Sequence, residues 1–272
     1  MTNGQKIIKY CALTLAILLI VGIFGAIVSF VINIIDSFTP KLYDEKNTYI
    51  YTETKEQEIN SLEIKLKISS LKIVSGDFFS IETNNKNINY SVNEDKITIK
   101  EKRNLNFKDS KVIITVPEDK IFDSVIIDTG AGNIDADNLS SIYLKIDGGM
   151  GDITFNNLSV TEEIKIEIGV GNIELLDSQI NNLEFDGDVG NFRFEGDLFG
   201  KSDFDTGIGD IYVEINSDLE DYTVEVDKSI GNIIINDEKI NSNYRNNKES
   251  SKSILIDGGI GNITLKTRKN IK

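Results

Sequence analysis

Gly169-Val170-Gly171-Asn172-Ile173 is a five-residue turn that the chain writes seven times between residues 130 and 263. Its other forms are Gly130-Ala131-Gly132-Asn133-Ile134, Gly149-Met150-Gly151-Asp152-Ile153, Asp188-Val189-Gly190-Asn191-Phe192, Gly207-Ile208-Gly209-Asp210-Ile211, Ser229-Ile230-Gly231-Asn232-Ile233 and Gly259-Ile260-Gly261-Asn262-Ile263. The second glycine stands at Gly132, Gly151, Gly171, Gly190, Gly209, Gly231 and Gly261, at intervals of 19, 20, 19, 19, 22 and 30 residues. Self-similarity at such a period is the mark of a solenoid, in which each repeat buries its apolar face only against its neighbours. The expected fold is all-β: a β-solenoid of about seven coils.

Aligned on that glycine, the flanks separate into columns. Ile127, Ile146, Ile166, Phe185, Phe204, Val226 and Ile256 precede the turn, and Ala136, Phe155, Leu175, Phe194, Val213, Ile235 and Leu265 follow it. Apolar positions alternate with polar ones, which is strand periodicity. Each repeat therefore reads as strand, glycine turn, strand. A single repeat buries too little to offset its ordering entropy, so the coils must stack.

The turn has a steric rationale. A sharp corner calls for positive φ, which glycine adopts cheaply and Asn or Asp next best. The residue after the second glycine is always Asn133, Asp152, Asn172, Asn191, Asp210, Asn232 or Asn262. Stacked in register these predict a side-chain ladder, in which no two aspartates of successive repeats are neighbours.

Four residues before each second glycine stands an acid: Asp128, Asp147, Glu167, Asp186, Asp205, Asp227 or Asp257. Two readings stay open. The row is a set of cation sites, for which oxygen-only ligands would suit calcium. Or each carboxylate turns back to accept from the amides of its own turn. No other cofactor is expected. The calcium-binding nonapeptide fits Gly148-Gly149-Met150-Gly151-Asp152 poorly, because the acid comes one place early and the period is about 19 rather than nine.

Composition narrows the function. A formal net charge of −15 argues against nucleic acid, whose phosphates need a basic face. The absence of histidine removes Ser-His and Cys-His nucleophilic pairs, and the one cysteine, Cys11, supports neither a disulfide framework nor a thiolate zinc site. Grouped carboxylates could still cleave a polysaccharide without histidine. A catalytic coil should break the repeat, however, and these acids recur uniformly. The chain is therefore not expected to be an enzyme.

Outside the repeats, Lys6 and Lys9 precede an uncharged stretch from Tyr10 to Ile35 that Asp36 ends. It is longer than the roughly 20 residues needed to span a bilayer. A cleaved signal peptide would have a shorter core and an A-x-A-like exit, and a lipoprotein would carry its cysteine after the apolar run. The expectation is a cytoplasmic N-terminus at 1–9, a transmembrane helix at 10–35 and a juxtamembrane stalk at 36–56. An irregular N-terminal β cap at 57–124 and the repeat solenoid with a basic tail at 125–272 then lie outside the membrane. The longest interval carries the polar run Asn241–Ser251, either a binding loop or a disordered bulge.

Val116-Pro117, then Phe122-Asp123-Ser124-Val125 and Thr129-Gly130-Ala131-Gly132-Asn133-Ile134, then the recurring G-x-G-[ND]-I turns, resemble a bacterial "putative adhesin" domain family of unknown function. The family includes Lia-type envelope-stress proteins, and the resemblance covers roughly 57–266. It implies a β-solenoid displayed at the cell envelope, commonly behind a transmembrane segment, and assigns no functional residues. Three functions follow as expectations. The first is a membrane-anchored extracytoplasmic binding or scaffold protein, an adhesin whose partner is an envelope polymer or protein. The second is a sensor or accessory protein in envelope-stress signalling, which with so short a cytoplasmic segment would need a membrane partner. The third is an acid-dependent polysaccharide hydrolase or lyase.

Overall fold

In each repeat a lead strand runs up to the glycine corner and a trail strand runs away from it. The lead strands Ile121–Ala131, Ser140–Met150 and Ser159–Val170 pair in parallel and in register, Ile127 beside Ile146 and Ile146 beside Ile166. The trail strands Ile134–Asp137, Ile153–Asn156 and the start of Ile173–Val189 do the same, Ala136 beside Phe155 and Phe155 beside Leu175. The structure, a computed structural model, describes residues 48–52, 58–102, 109–246 and 248–268. The expected helix at 10–35 lies outside them; among the described residues no helix is long and apolar enough to cross a membrane. The described chain is all-β and solenoid-like, with one three-residue 3-10 turn, Leu219–Asp221.

The inward columns build one continuous core. Ile127, Ile146, Ile166, Phe204, Phe155, Leu175, Phe194 and Val213 are fully buried. In its middle Phe192 meets Phe185 with ring centroids 4.3 Å apart and Phe204 edge-on at 5.3 Å. A buried aromatic pair contributes about 0.5–1.5 kcal/mol beyond its area.

The stacking order departs from the chain order at both ends. Near the C-terminus the lead strand Ser253–Ile260 pairs with Phe192–Ile208 on one side and with Thr223–Ile230 on the other. The trail strand Ile263–Thr267 likewise lies between Ile211–Ile215 and Ile233–Ile235. The last repeat is thus interposed between the two before it. This accounts for the long intervals of 22 and 30 residues: the chain skips a level, leaves a slot, and returns to fill it.

The region expected to be an irregular cap obeys the same register. Ser61–Leu66 lies between Ile121–Ala131 and Lys96–Glu101, with Leu62 beside both Val125 and Ile97. Ser70–Gly76 lies between Ile134–Asp137 and Lys111–Pro117. These strand pairs extend the stack without a glycine turn.

Antiparallel strands cover both ends. Ile88–Asn93 pairs with Lys96–Glu101, and Ser80–Thr83 with Lys111–Pro117. At the other end Tyr244–Arg245 pairs with Val226 and Glu225, and Glu238–Ile240 with Ile233–Ile235. Covering an edge in this way blocks further strand addition. Part of the polar 241–251 run is therefore an edge strand.

Candidate binding surface

The second glycine carries the strained backbone. Gly151, Gly171, Gly190, Gly209, Gly231 and Gly261 have φ between 141° and 159°, whereas Gly132, at the first turn, lies outside the positive-φ set. A Cβ on Gly190 would stand 1.8 Å from the carbonyl oxygen of Gly171 in the adjacent coil. Close approach of stacked backbones therefore selects glycine as firmly as φ does. The Asn or Asp that follows does not share the positive φ; Asn138, Asn157 and Asp177, at the next bend, do instead.

The residues after the glycine form a ladder. Asn133 Oδ1 accepts from the Asp152 amide at 3.1 Å, Asp152 Oδ1 from the Asn172 amide at 2.8 Å and Asn172 Oδ1 from the Asn191 amide at 3.1 Å. Asn191 Oδ1 then accepts from the Asp210 amide at 2.9 Å, Asp210 Oδ1 from the Asn262 amide at 2.7 Å and Asn262 Oδ1 from the Asn232 amide at 3.2 Å. The order ends 210, 262, 232, following the interposed repeat. Each rung satisfies a corner amide of the neighbouring coil.

The ladder stops where the glycine turns stop, and another group takes over. Glu101, buried to 6% exposure, accepts at Oε2 from the amides of Lys67, Ile68 and Ser69 at 2.7, 3.0 and 3.1 Å. Its Oε1 accepts from Ser69 Oγ and Asn85 Nδ2, both at 2.9 Å. A carboxylate from one coil thus organises the glycine-free corner of the next.

The acidic column forms one row, in the spatial order Asp128, Asp147, Glu167, Asp186, Asp205, Asp257, Asp227. Among the described residues none of these side chains bonds to the amides of its glycine turn, so the turn-cap reading gives way. Nor is any group of three or more metal-ligating side chains arranged to hold an ion among the described residues. Lys165 neutralises Glu167 and Glu184 at 3.0 and 2.6 Å. Beyond it the charges are uncompensated: burial, then Asp257, Asp186 and Asp203, push the Asp205 carboxyl above its usual range. Burial, with Glu184 and Asp257, does the same to Asp203.

The residue between the two glycines was not singled out by sequence reading. Ala131, Met150, Val170, Val189, Ile208, Ile260 and Ile230 stand side by side in register, every one apolar and exposed. Exposure of the last six runs from 37% at Val189 to 63% at Ile230. The signal was available: the x of G-x-G is never polar. Six steps of about 4.8 Å make a ridge roughly 29 Å long. Ridge and acidic row are three residues apart along each lead strand, about 10 Å. Two residues before each second glycine, between row and ridge, lie Gly130, Gly149, Gly169, Asp188, Gly207, Gly259 and Ser229, and a Cβ on Gly149 would stand 2.3 Å from the Gly130 carbonyl oxygen of the adjacent coil.

On the trail-strand side, Arg268 binds Glu195 at 2.8 Å, Glu214 at 3.0 Å and Asp177 at 3.4 Å. It lines a shallow depression of ≈ 180 Å³ with Glu214, Asn236, Asp237, Lys266 and Thr267. The Tyr212 hydroxyl and the Arg268 guanidinium hold the Glu214 carboxyl below its usual range. Those charges already satisfy one another.

No curated protein matches the chain. Among solved structures, a putative cell adhesion protein from Clostridium sporogenes ATCC 15579 is 15% identical, with 82% of this chain and 99% of that one covered at a TM-score of 0.36. A putative adhesin from Bacteroides fragilis NCTC 9343 is 16% identical over 82% and 98%, at 0.43. A putative lipid binding protein from Parabacteroides distasonis ATCC 8503 is 10% identical over 82% and 96%, at 0.34. The family model described as Toastrack DUF4097 matches residues 43–266, taking in every described strand except the final residue of the last, Thr267. The chain belongs to the Toastrack DUF4097 family.

Proposed function

We propose that this chain is a non-enzymatic binding or scaffold module of the bacterial cell envelope. In this reading a transmembrane helix at 10–35 anchors it, and a β-solenoid with about seven glycine-turn coils stands outside the membrane. The observation that supports it most is the uniformity of the outward columns. Among the described residues ridge, ladder and acidic row run in register through successive coils, and the acids of the one depression described, Glu214 and Asp237, are paired with Arg268 and Lys266. Catalysis by carboxylates needs two of them set across a bond with different environments. A repeated surface suits an extended partner instead.

The test uses the full-length chain in two arms. Protease shaving of intact cells should remove the β domain, and crosslinking should capture wall polymer or an envelope protein with it. Incubation with a panel of purified wall polysaccharides should release no reducing ends and no unsaturated sugars. Product release would establish a hydrolase or lyase and overturn the reading, as would a β domain that shaving cannot reach. Capture of a transmembrane kinase or regulator as the sole partner would move the chain to envelope-stress sensing.

A further inference from the structure

We propose that the ridge and the acidic row form one track that docks a cationic amphipathic helix. The inference rests on the binding reading above and names the partner's chemistry. An exposed apolar strip of this length is unusual for a surface with no partner. Ridge residues from Met150 through Val170, Val189, Ile208 and Ile260 to Ile230 offer a single apolar line. A helix of about 20 residues is 30 Å long, and its apolar side chains recur about every 5.4 Å, close to the roughly 4.8 Å step between coils. An extended peptide laid along the same line would repeat on one face every 6.6–6.8 Å or so and fall out of step within a few coils.

Charge selects the sign of that helix. Asp186, Asp205, Asp257 and Asp227 flank the ridge with no cation paired to them among the described residues. Burial first, and then Asp257, Asp186 and Asp203, already push the Asp205 carboxyl up, so an arriving ammonium relieves repulsion as well as making contact. With mostly glycine between row and ridge, a helix about 10 Å across can rest its apolar face on the ridge and reach the carboxylates with Lys or Arg. Two other occupants fit less well. A second copy paired by a two-fold axis would bring the acidic row, and a net charge of −15, against itself. An anionic lipid surface would meet the same carboxylates.

The probe is a fluorescein-labelled 18-residue Leu/Lys helix, titrated by anisotropy against the full-length chain in phosphatidylcholine nanodiscs, with empty discs subtracted. A scrambled peptide of identical composition controls for non-specific charge. Amphipathic binding should exceed scrambled binding at least tenfold and weaken as salt rises. Ile208→Asn with Ile260→Asn should lose at least tenfold. Asp186→Asn with Asp205→Asn and Asp257→Asn should lose a comparable factor and flatten the salt dependence. All five positions are exposed, and an unchanged thermal midpoint verifies that each variant is folded.

Wild-type binding no stronger than the scrambled control overturns the proposal, as does binding unchanged in the Ile208→Asn/Ile260→Asn variant. Sedimentation showing a dimer that Ile208→Asn abolishes assigns the ridge to a second copy. Peptide-independent binding to phosphatidylglycerol vesicles that Ile208→Asn abolishes assigns it to lipid. Either result overturns the proposal. Failure here with envelope capture intact removes the helix partner and leaves the binding reading standing.

Discussion

Glu101 is the sharpest place to perturb the stack, because one carboxylate meets five donors around a corner that has no glycine turn. Three are consecutive backbone amides, Lys67, Ile68 and Ser69, and two are the side chains of Ser69 and Asn85. A hydrogen bond to a charged acceptor contributes about 1.5–3 kcal/mol net, and a buried donor left unpaired costs about 1–3 kcal/mol. The five are not additive, since they share one group. Glu101→Ala should therefore cost about 5 kcal/mol, at the upper edge of single substitutions. Glu101→Gln keeps an oxygen for the amides but turns an NH₂ toward the Asn85 amide, and should cost about 2 kcal/mol. Urea unfolding gives both numbers. Hydrogen exchange gives the location: the amides of 67–69 should lose protection while those around 190–210 keep theirs, since a stacked array transmits damage mainly to nearest neighbours. A Glu101→Ala cost under about 1 kcal/mol would refute the reasoning, by showing that water serves the corner as well as the carboxylate does.

Three further outcomes follow from the geometry. Gly190→Ala places a methyl 1.8 Å from a neighbouring carbonyl at φ 148°, and should cost over about 3 kcal/mol by thermal unfolding; a near-neutral result would mean the corners slide freely. Asp205 has a raised carboxyl pKa, so its folded form holds a proton more tightly than its unfolded form, and its penalty is present at neutral pH and relieved as pH falls through the folded value. Asp205→Asn should accordingly stabilise by a few tenths of a kcal/mol at pH 7, after solvent screening, and give nothing at pH 3; the reverse pH order would remove the account by burial and like charge. Calcium at millimolar level should raise the thermal midpoint no more than sodium at matched ionic strength does, and a calcium-specific rise that chelator reverses would establish the acidic row as a metal ladder.

What the sequence disclosed and what it withheld have a common cause. Gly171, Asn172 and Ile173 were legible because each has a job set by its own coil and repeated in the next. The stacking order was not legible, because residues 223–235 and 253–267 carry the same columns. Exchanging their levels leaves Ile beside Ile and Asp beside Asp, so no pattern reports the exchange; only the intervals of 22 and 30 residues hint at it. The strands at 61–76 were hidden for a different reason. Their corner, Lys67-Ile68-Ser69, is held by Glu101 from another coil, and a contact 32 residues away leaves no local motif. The ridge was visible and passed over, since an apolar residue between glycines reads as one more strand position.

The interposed last repeat also imposes an order in time. A chain emerging from its N-terminus can lay down successive levels as they are made, up to Ile211–Ile215. The next segment, residues 223–235, then has no finished neighbour, because the level it will lean on is encoded after it. It can pair early only with the short antiparallel strands Glu238–Ile240 and Tyr244–Arg245, and it gains its stacked neighbour only when residues 253–267 are available. Loss of residues 253–267 would therefore strand two levels instead of one, which makes the folding of 223–235 depend on a segment synthesised after it.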